Sequence, residues 1–335
     1  MTQRKLKGLF VLHQAAYDRI YGPNELSEIY RHVDIYAPLQ TPAMIKTNPM
    51  VLNDADIIFS GWGLPVLDEE FLNNAPNLKV IFYGSGTIKY FITEQAWERG
   101  IKITSAFAAN AIPVAEFTLG QILLSLKAYW YHARQARSQK TFISSECVGP
   151  GVYGSTVGLI SLGTISRCLC QRLLPFNIKI VGYDPYVTQE TAQMLNVELC
   201  SLEDVFRNAD VISLHAPLNE QTKGMITSQH FHLMKPYATF INTARGAIVD
   251  EEGLIDAFTH RSDLTALLDV TAPEPPKENS PLYTLKNIIL SAHIAGSIGA
   301  ECRRMGDYMV QELRRYMNGL PLEWEVTQEM AEIMA

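Results

Sequence analysis

The chain has 335 residues, enough for roughly two domains. With 47% hydrophobic and 19% charged residues it can bury a sizeable core, which excludes wholesale disorder. Its 28 Lys and Arg against 35 Asp and Glu give a net charge of −7, so no basic excess exists to neutralise a nucleic-acid backbone, although one or two well-placed donors would still hold a small anion.

At the N-terminus the apolar stretch Gly8–Leu12 is too short for a signal-peptide core and stops at His13-Gln14. No run approaches the roughly eighteen apolar residues of a membrane helix. The longest, Phe117–Leu126, carries Gln121 and Ser125 and ends at Lys127. The cysteines, Cys147, Cys168, Cys170, Cys200 and Cys302, are an odd and sparse set. They predict free thiols in a reducing, cytoplasmic setting. Cys168-x-Cys170 lacks a second ligand pair, so two small helix residues are expected there and no metal.

In chain order, strands are predicted at Gly8–Leu12, Asp34–Tyr36, Asp56–Ser60, Leu78–Tyr83 and Ile101–Thr104, with helices at Asn24–His32, Leu67–Asn74 and Glu94–Gly100. This alternation is the pattern of a parallel sheet covered by helices. A long helix is predicted over Pro113–Arg137, with Pro113 in its first turn and Glu116 at the positive end of its dipole. Its aromatic second half, Ala128–His132, reads as packing or a subunit contact, and Ser138–Ser155 reads as a loop. A second series follows. Its strands are Thr156–Ser161, Ile178–Asp184, Val211–His215, Thr239–Asn242, Thr265–Asp269 and Asn287–Ser291. Its helices are Thr164–Leu174, Gln189–Asn196, Leu202–Asn208 and Glu251–Thr259, and a last one near Gly299–Asn318 closes the chain.

Val157–Ser166 reads as a buried strand, a tight turn and a helix start. Gly163 would let the backbone approach a pyrophosphate, and the amides of Thr164 and Ile165 would face it. Asp184 follows Gly163 by 21 residues, at the end of the next strand, where a carboxylate accepts ribose hydroxyls and repels a 2′-phosphate. NAD is therefore expected over NADP. The turn reads Ser161-Leu-Gly163-Thr-Ile-Ser166, with serine at the first and third glycine positions of the usual pattern.

Three further strand ends carry polar residues. Arg245 is followed by Gly246, Glu274 lies among prolines, and His293 precedes a small-residue turn. Each alone is an ordinary residue. Together, behind a dinucleotide turn, they fit hydride transfer to a 2-oxo acid. His293 would protonate the forming alkoxide, Glu274 would orient the imidazole and favour its charged form, and Arg245 would clamp the carboxylate and polarise the carbonyl.

The sequence resembles the D-isomer-specific 2-hydroxyacid dehydrogenases, a family that includes phosphoglycerate, formate and D-lactate dehydrogenases. The match covers nearly the whole chain and is strongest from Val157 to Gly296. It rests on Ala209–Thr222, on Asn242-Thr-Ala-Arg245-Gly246 and on His293-Ile-Ala-Gly296. The resemblance implies an α/β fold: a Rossmann-type doubly wound parallel sheet, residues 105–296, inserted into a flavodoxin-like substrate domain, residues 1–104 and 297–335, with the active site in the cleft between them. It implies an NAD-dependent, D-specific enzyme whose catalytic set is Arg245, Glu274 and His293. Asp269 would contact the nicotinamide amide, and His215, Pro217, Thr222, Thr243 and Gly296 would lie along the coenzyme. Ser85, Gly86 and Thr87 match the loop whose amides take the substrate carboxylate, and Trp62, at a strand end, is a candidate for the side-chain pocket or for core packing. Ala115-Glu116 matches the start of the helix that supports a homodimer. Departures from the family pattern are Ser161, Ser166, Ile88, Thr164 and the extra prolines Pro273 and Pro276. The alternative reading, motivated by the altered glycine turn, is an NAD(H)-sensing interaction protein without useful turnover.

Overall fold

Short runs of β-branched and aromatic residues make the strands of a computed structural model that describes residues 5–142 and 148–334. The first five are β1 (Lys7–Val11), β2 (Asp34–Ile35), β3 (Ile57–Ser60), β4 (Val80–Tyr83) and β5 (Lys102–Ser105). They form one parallel sheet in the order β2-β1-β3-β4-β5, the doubly wound order of flavodoxin-like folds. Side chains alternate between its faces. Leu9, Val11, Ile58 and Ile81 enter one apolar cluster, and Phe10, Ile57, Phe59, Val80 and Phe82 enter the other. Both faces are covered, so β3 and β4 read as unbroken apolar runs.

The next seven are β6 (Thr156–Ile160), β7 (Lys179–Tyr183), β8 (Val197–Leu199), β9 (Val211–Leu214), β10 (Thr239–Asn242), β11 (Thr265–Leu268) and β12 (Ile288–Leu290). Their sheet is also parallel, ordered β12-β11-β10-β9-β6-β7-β8, a Rossmann order extended by one strand. Contacts divide the chain into two units, Met1–Asn110 with Ser297–Ala335, and Ala111–Gly296. In each sheet the winding reverses once, between β1 and β3 and between β6 and β9. The carboxyl ends of the strands beside such a reversal are where ligands of these folds sit.

The expected helix over Pro113–Arg137 is two helices, Phe107–Leu126 and Tyr129–Gln139, broken where Ala128 adopts φ 46°. Pro113 therefore lies inside the first helix, not in its opening turn, and Glu116 pairs with Arg172 at 2.9 Å instead of facing a helix start. The hydrophobic seam Ala115, Leu119, Ile122 and Leu126 packs on the second sheet and carries the helix through the proline. Contrary to expectation, Phe107–Leu126 is long and apolar enough to cross a membrane, with mean hydropathy 1.3, but much of it is spent on this packing. The predicted loop begins later, because the helix runs to Gln139, and residues 143–147, Cys147 among them, lie outside the described residues. Cys168, Cys170, Cys200 and Cys302 are free thiols. Strand β8 and the short helices Gln14–Ile20, Pro42–Thr47, Ser228–Leu233 and Gln328–Ile333 carry too little periodicity to be seen in sequence.

The helix Glu301–Met317 returns the chain to the first unit, where Cys302, Met305, Met309 and Leu313 pack with Phe10, Ile29 and Phe82. Beyond it, Ser105 donates to the Trp324 carbonyl at 3.0 Å and Val326 to Ile103 at 2.8 Å, which closes the β5 edge. The fully buried Glu312 holds this return by accepting the amides of Glu323 and Trp324, both at 3.1 Å. Burial pushes its carboxyl pKa up, and the two amides work against that rise.

Gly306 lets the helix touch backbone, since a Cβ there would stand 2.2 Å from the Ile20 carbonyl oxygen. Gly306→Ala should therefore destabilise the protein by roughly 1–3 kcal/mol despite alanine's better helix propensity. Urea unfolding checks this, and an unchanged or raised midpoint would show that the helix moves aside freely.

Candidate active site

The turn after β6 is held by a carboxylate. Asp184, at the end of β7, accepts the Leu162 amide at 2.7 Å on Oδ2 and the Tyr186 amide at 2.8 Å on Oδ1. Ser161 sits at φ 73°, the left-handed conformation that a first glycine would adopt without strain. Ser166 is fully buried and its hydroxyl donates to the Ser161 carbonyl at 2.6 Å, so serine at the third position closes the turn with a bond that glycine cannot make. Gly163 is the residue preceding the helix Thr164–Leu173 and caps it with no side chain. The first amides of a helix, here those of Thr164 and Ile165, have no partner within it and carry the positive end of its dipole.

Farther along the same sheet edge, His215 and Thr243 are buried at the ends of β9 and β10. His215 Nε2 meets the Ser213 hydroxyl at 2.9 Å, while its Nδ1 and the Thr243 hydroxyl have no partner among the described residues. Burial depresses the His215 pKa to about 4, so the ring is neutral near pH 7. Orphaned buried polar atoms at the carboxyl end of a Rossmann sheet fit a ligand rich in hydroxyl and amide groups. Pro217 and Thr222 form a self-contained turn. The Thr222 hydroxyl donates to the Pro217 carbonyl at 2.6 Å and accepts the Asn219 amide at 2.9 Å. The structure also shows a bond that spacing does not announce. The Tyr186 hydroxyl donates to Gln221 Oε1 at 2.6 Å and so joins the loops after β7 and β9.

The three expected catalytic residues follow β10, β11 and β12, neighbours in the sheet. Arg245 is fixed from behind. Asn242 at the end of β10 donates to the Arg245 carbonyl at 3.1 Å and accepts the Ala244 amide at 3.0 Å. One guanidinium nitrogen donates to the Ala244 carbonyl at 2.6 Å, and among the described residues no carboxylate lies within ion-pair distance of Arg245. Gly246 allows this turn to press on the next loop: a Cβ there would fall 2.0 Å from the Thr271 carbonyl carbon. In that loop Glu274 reaches His293, Oε1 to Nδ1 at 2.6 Å, with both side chains about half exposed.

His293 itself stands at φ 53°. Asp269, 3% exposed at the end of β11, sustains that conformation. Its Oδ1 accepts the Ser291 hydroxyl at 2.6 Å and the Ile294 amide at 2.9 Å, its Oδ2 accepts the Ala295 amide at 2.8 Å, and its carbonyl accepts the His293 amide at 2.9 Å. The expectation gave Asp269 a contact with the coenzyme. Its observed bonds hold the loop that presents His293 and ends at the half-buried Gly296.

In the other unit the loop after β4 carries Ser85, Gly86 and Thr87. The carbonyls of Ser85 and Gly86 both accept the Ser105 hydroxyl. The Ser85 amide is engaged with the Tyr83 carbonyl at 2.9 Å, which leaves Gly86 and Thr87 as its candidate donors. Ile88, one of the expected departures from the family pattern, is buried in the apolar cluster. Trp62 follows β3 and is 37% exposed, so it is a surface ring and not a core residue. Among the described residues no group of three His, Cys, Asp or Glu is arranged for a metal.

Residues 119–295 match the family model described as D-isomer specific 2-hydroxyacid dehydrogenase, NAD binding domain. A D-3-phosphoglycerate dehydrogenase of Methanocaldococcus jannaschii is 32% identical over 80% of this chain and 51% of its own length. The chain thus spans about half the length of that relative. A glyoxylate reductase of Thermofilum pendens is 32% identical over 76% of each chain. The D-mandelate dehydrogenase of Rhodotorula graminis shares the fold, with a TM-score of 0.79 at 22% identity, over 97% of this chain and 98% of that one.

Removing the Asp269 carboxylate would orphan a hydroxyl and two amides in a buried place. Asp269→Ala should lower stability by roughly 3 kcal/mol. Denaturant unfolding measures the loss, and a change below about 1 kcal/mol would mean that the His293 loop holds its shape unaided.

Proposed function

The chain belongs to the D-isomer-specific 2-hydroxyacid dehydrogenase family, and we propose that it moves hydride between NAD and C2 of a small 2-hydroxy or 2-oxo acid with D stereochemistry. The observation that carries this reading is the 2.6 Å Glu274–His293 pair, presented on the same sheet edge as Arg245. Bound along that edge, the nicotinamide would supply or take the hydride.

The side chains divide the remaining work. His293 Nδ1 faces Glu274, so Nε2 is the atom left to give its proton to the oxygen on C2. The Glu274 carboxylate, 2.6 Å from Nδ1, holds the ring in the orientation that this step needs. Arg245, with donors to spare, would take the substrate carboxylate and draw charge from the carbonyl. On the coenzyme side, Gly163 and the amides of Thr164 and Ile165 would receive the pyrophosphate. Asp184 would accept the ribose hydroxyls and repel a 2′-phosphate. His215, Pro217, Thr222, Thr243, Asp269 and Gly296 would line the rest, and His215 adds no charge because burial keeps it neutral. Gly86 and Thr87 would offer backbone amides to the substrate carboxylate beside Ser85, and the exposed Trp62 ring would meet the substrate side chain.

We further propose a cytoplasmic homodimer. The free thiols support the compartment. The helix Tyr129–Gln139, with Tyr129 49% exposed, supports a subunit contact near it.

Loss of NADH absorbance against a panel of 2-oxo acids with small, branched, aromatic and phosphorylated side chains tests the reading. Turnover on at least one subset is expected. NADH binding with no turnover anywhere would favour the sensing role. Arg245→Ala should cost at least about 100-fold in kcat/KM on any active substrate. Near-normal activity would remove Arg245 from the chemistry.

Asp184→Ala should shift the NADH-to-NADPH preference by about tenfold, the equivalent of about 1.4 kcal/mol. An unaltered ratio would count against its place at the ribose.

A further inference from the structure

The loops that carry Arg245 and Glu274 meet at backbone. Gly246 lies against Thr271 with no room for a Cβ, and beneath the contact is a small cavity lined by Asn242, Gly246, Glu251, Leu268, Val270 and Thr271. Glu251 is the polar side chain that crosses this junction. It begins the helix Glu251–His260, six residues after Arg245, and its Oε2 accepts the amide of Ala272, two residues before Glu274, at 3.3 Å. Thr271, the neighbour of Ala272, in turn donates through its hydroxyl to the Pro273 carbonyl at 2.8 Å. The Arg245 segment therefore reaches the Glu274 segment through one side-chain bond as well as through the glycine contact.

We propose that Glu251 is a positioning residue for the Glu274–His293 pair. It ties the root of the Glu274 loop to the Arg245 turn, so the carboxylate that orients the imidazole and the guanidinium that would clamp substrate keep a fixed spacing. The proposal rests on the dehydrogenase reading of that pair. The groups that bear on the Glu251 carboxylate are the Ala272 amide and the Lys277 ammonium, which hold it down, and its own partial burial, which raises its pKa and opposes ionisation. A carboxylate kept in a half-buried place by one backbone amide and one distant ammonium is a costly choice for a site that only fills space. A bond set 3.3 Å long on an amide next to the site is sensitive to small loop displacements.

The test reads the imidazole directly and does not require a known substrate. The His293 ring is titrated by NMR in the full chain, its signal assigned with His293→Gln, in wild type, Glu251→Ala and Glu251→Gln. Loss of the tie should loosen Glu274 from His293 and move the ring's NMR titration curve in Glu251→Ala toward that of Glu274→Gln. Glu251→Gln, which keeps an acceptor for Ala272, should restore at least half of that shift. Thermal melts of both variants establish that the fold is retained. An unchanged His293 titration in a folded Glu251→Ala would overturn the proposal, as would an equal shift in both variants. On any oxo acid that turns over, Glu251→Ala should lower kcat with KM for NADH unchanged. Wild-type protein that turns over no oxo acid would remove the dehydrogenase reading, whereas an active wild type with an unmoved titration would remove Glu251 alone.

Discussion

The Asp269 carboxylate is the constraint on which the site depends. It is nearly sealed from solvent, and an unpaired carboxylate there would be expensive. The donors that satisfy it come from Ser291, Ile294 and Ala295, the residues around His293. Solvating the charge and shaping the loop are therefore one event. The left-handed backbone of His293, unfavourable on its own, is offset by amides that could not all reach Asp269 in an extended loop. The imidazole consequently stands where the Glu274 carboxylate can meet it.

A second arrangement of the same kind works at the other end of the sheet. Asp184 grips the Leu162 and Tyr186 amides and so fixes the turn that follows β6. In both places a carboxylate at a strand end is satisfied by backbone amides of a neighbouring loop. A parallel sheet makes this possible, because its loops leave from one edge and lie side by side. Asn242 does the corresponding work for Arg245 with an amide side chain, which both donates and accepts. Glycine appears where backbone must touch backbone, at Gly246 against Thr271 and at Gly306 against Ile20.

The departures from the family's glycine pattern have physical explanations. Ser161 accepts a positive φ in a turn held by Asp184. Ser166 closes the same turn with a hydroxyl bonded to the backbone carbonyl of residue 161. The long helix shows the opposite case, in which a familiar signal misled. Proline favours a first turn, but the apolar seam from Ala115 to Leu126 supplied enough packing to extend the helix upstream through Pro113.

The sequence by itself determined the alternation of strands and helices, and with it two parallel sheets whose polar residues gather at strand ends. Arg245, Glu274 and His293 were legible as candidates for the same reason: each lies in the segment that follows an apolar run, and periodicity is a local property of the chain. Partnership was not legible. That Asp269 serves the His293 loop, that Tyr186 meets Gln221, that Glu251 meets Ala272 and that the Ser85 amide is already engaged are facts about atoms whose separation depends on strand order and loop path. The tertiary structure decided these, because a hydrogen bond needs its atoms placed to within a few tenths of an ångström, which no local pattern specifies.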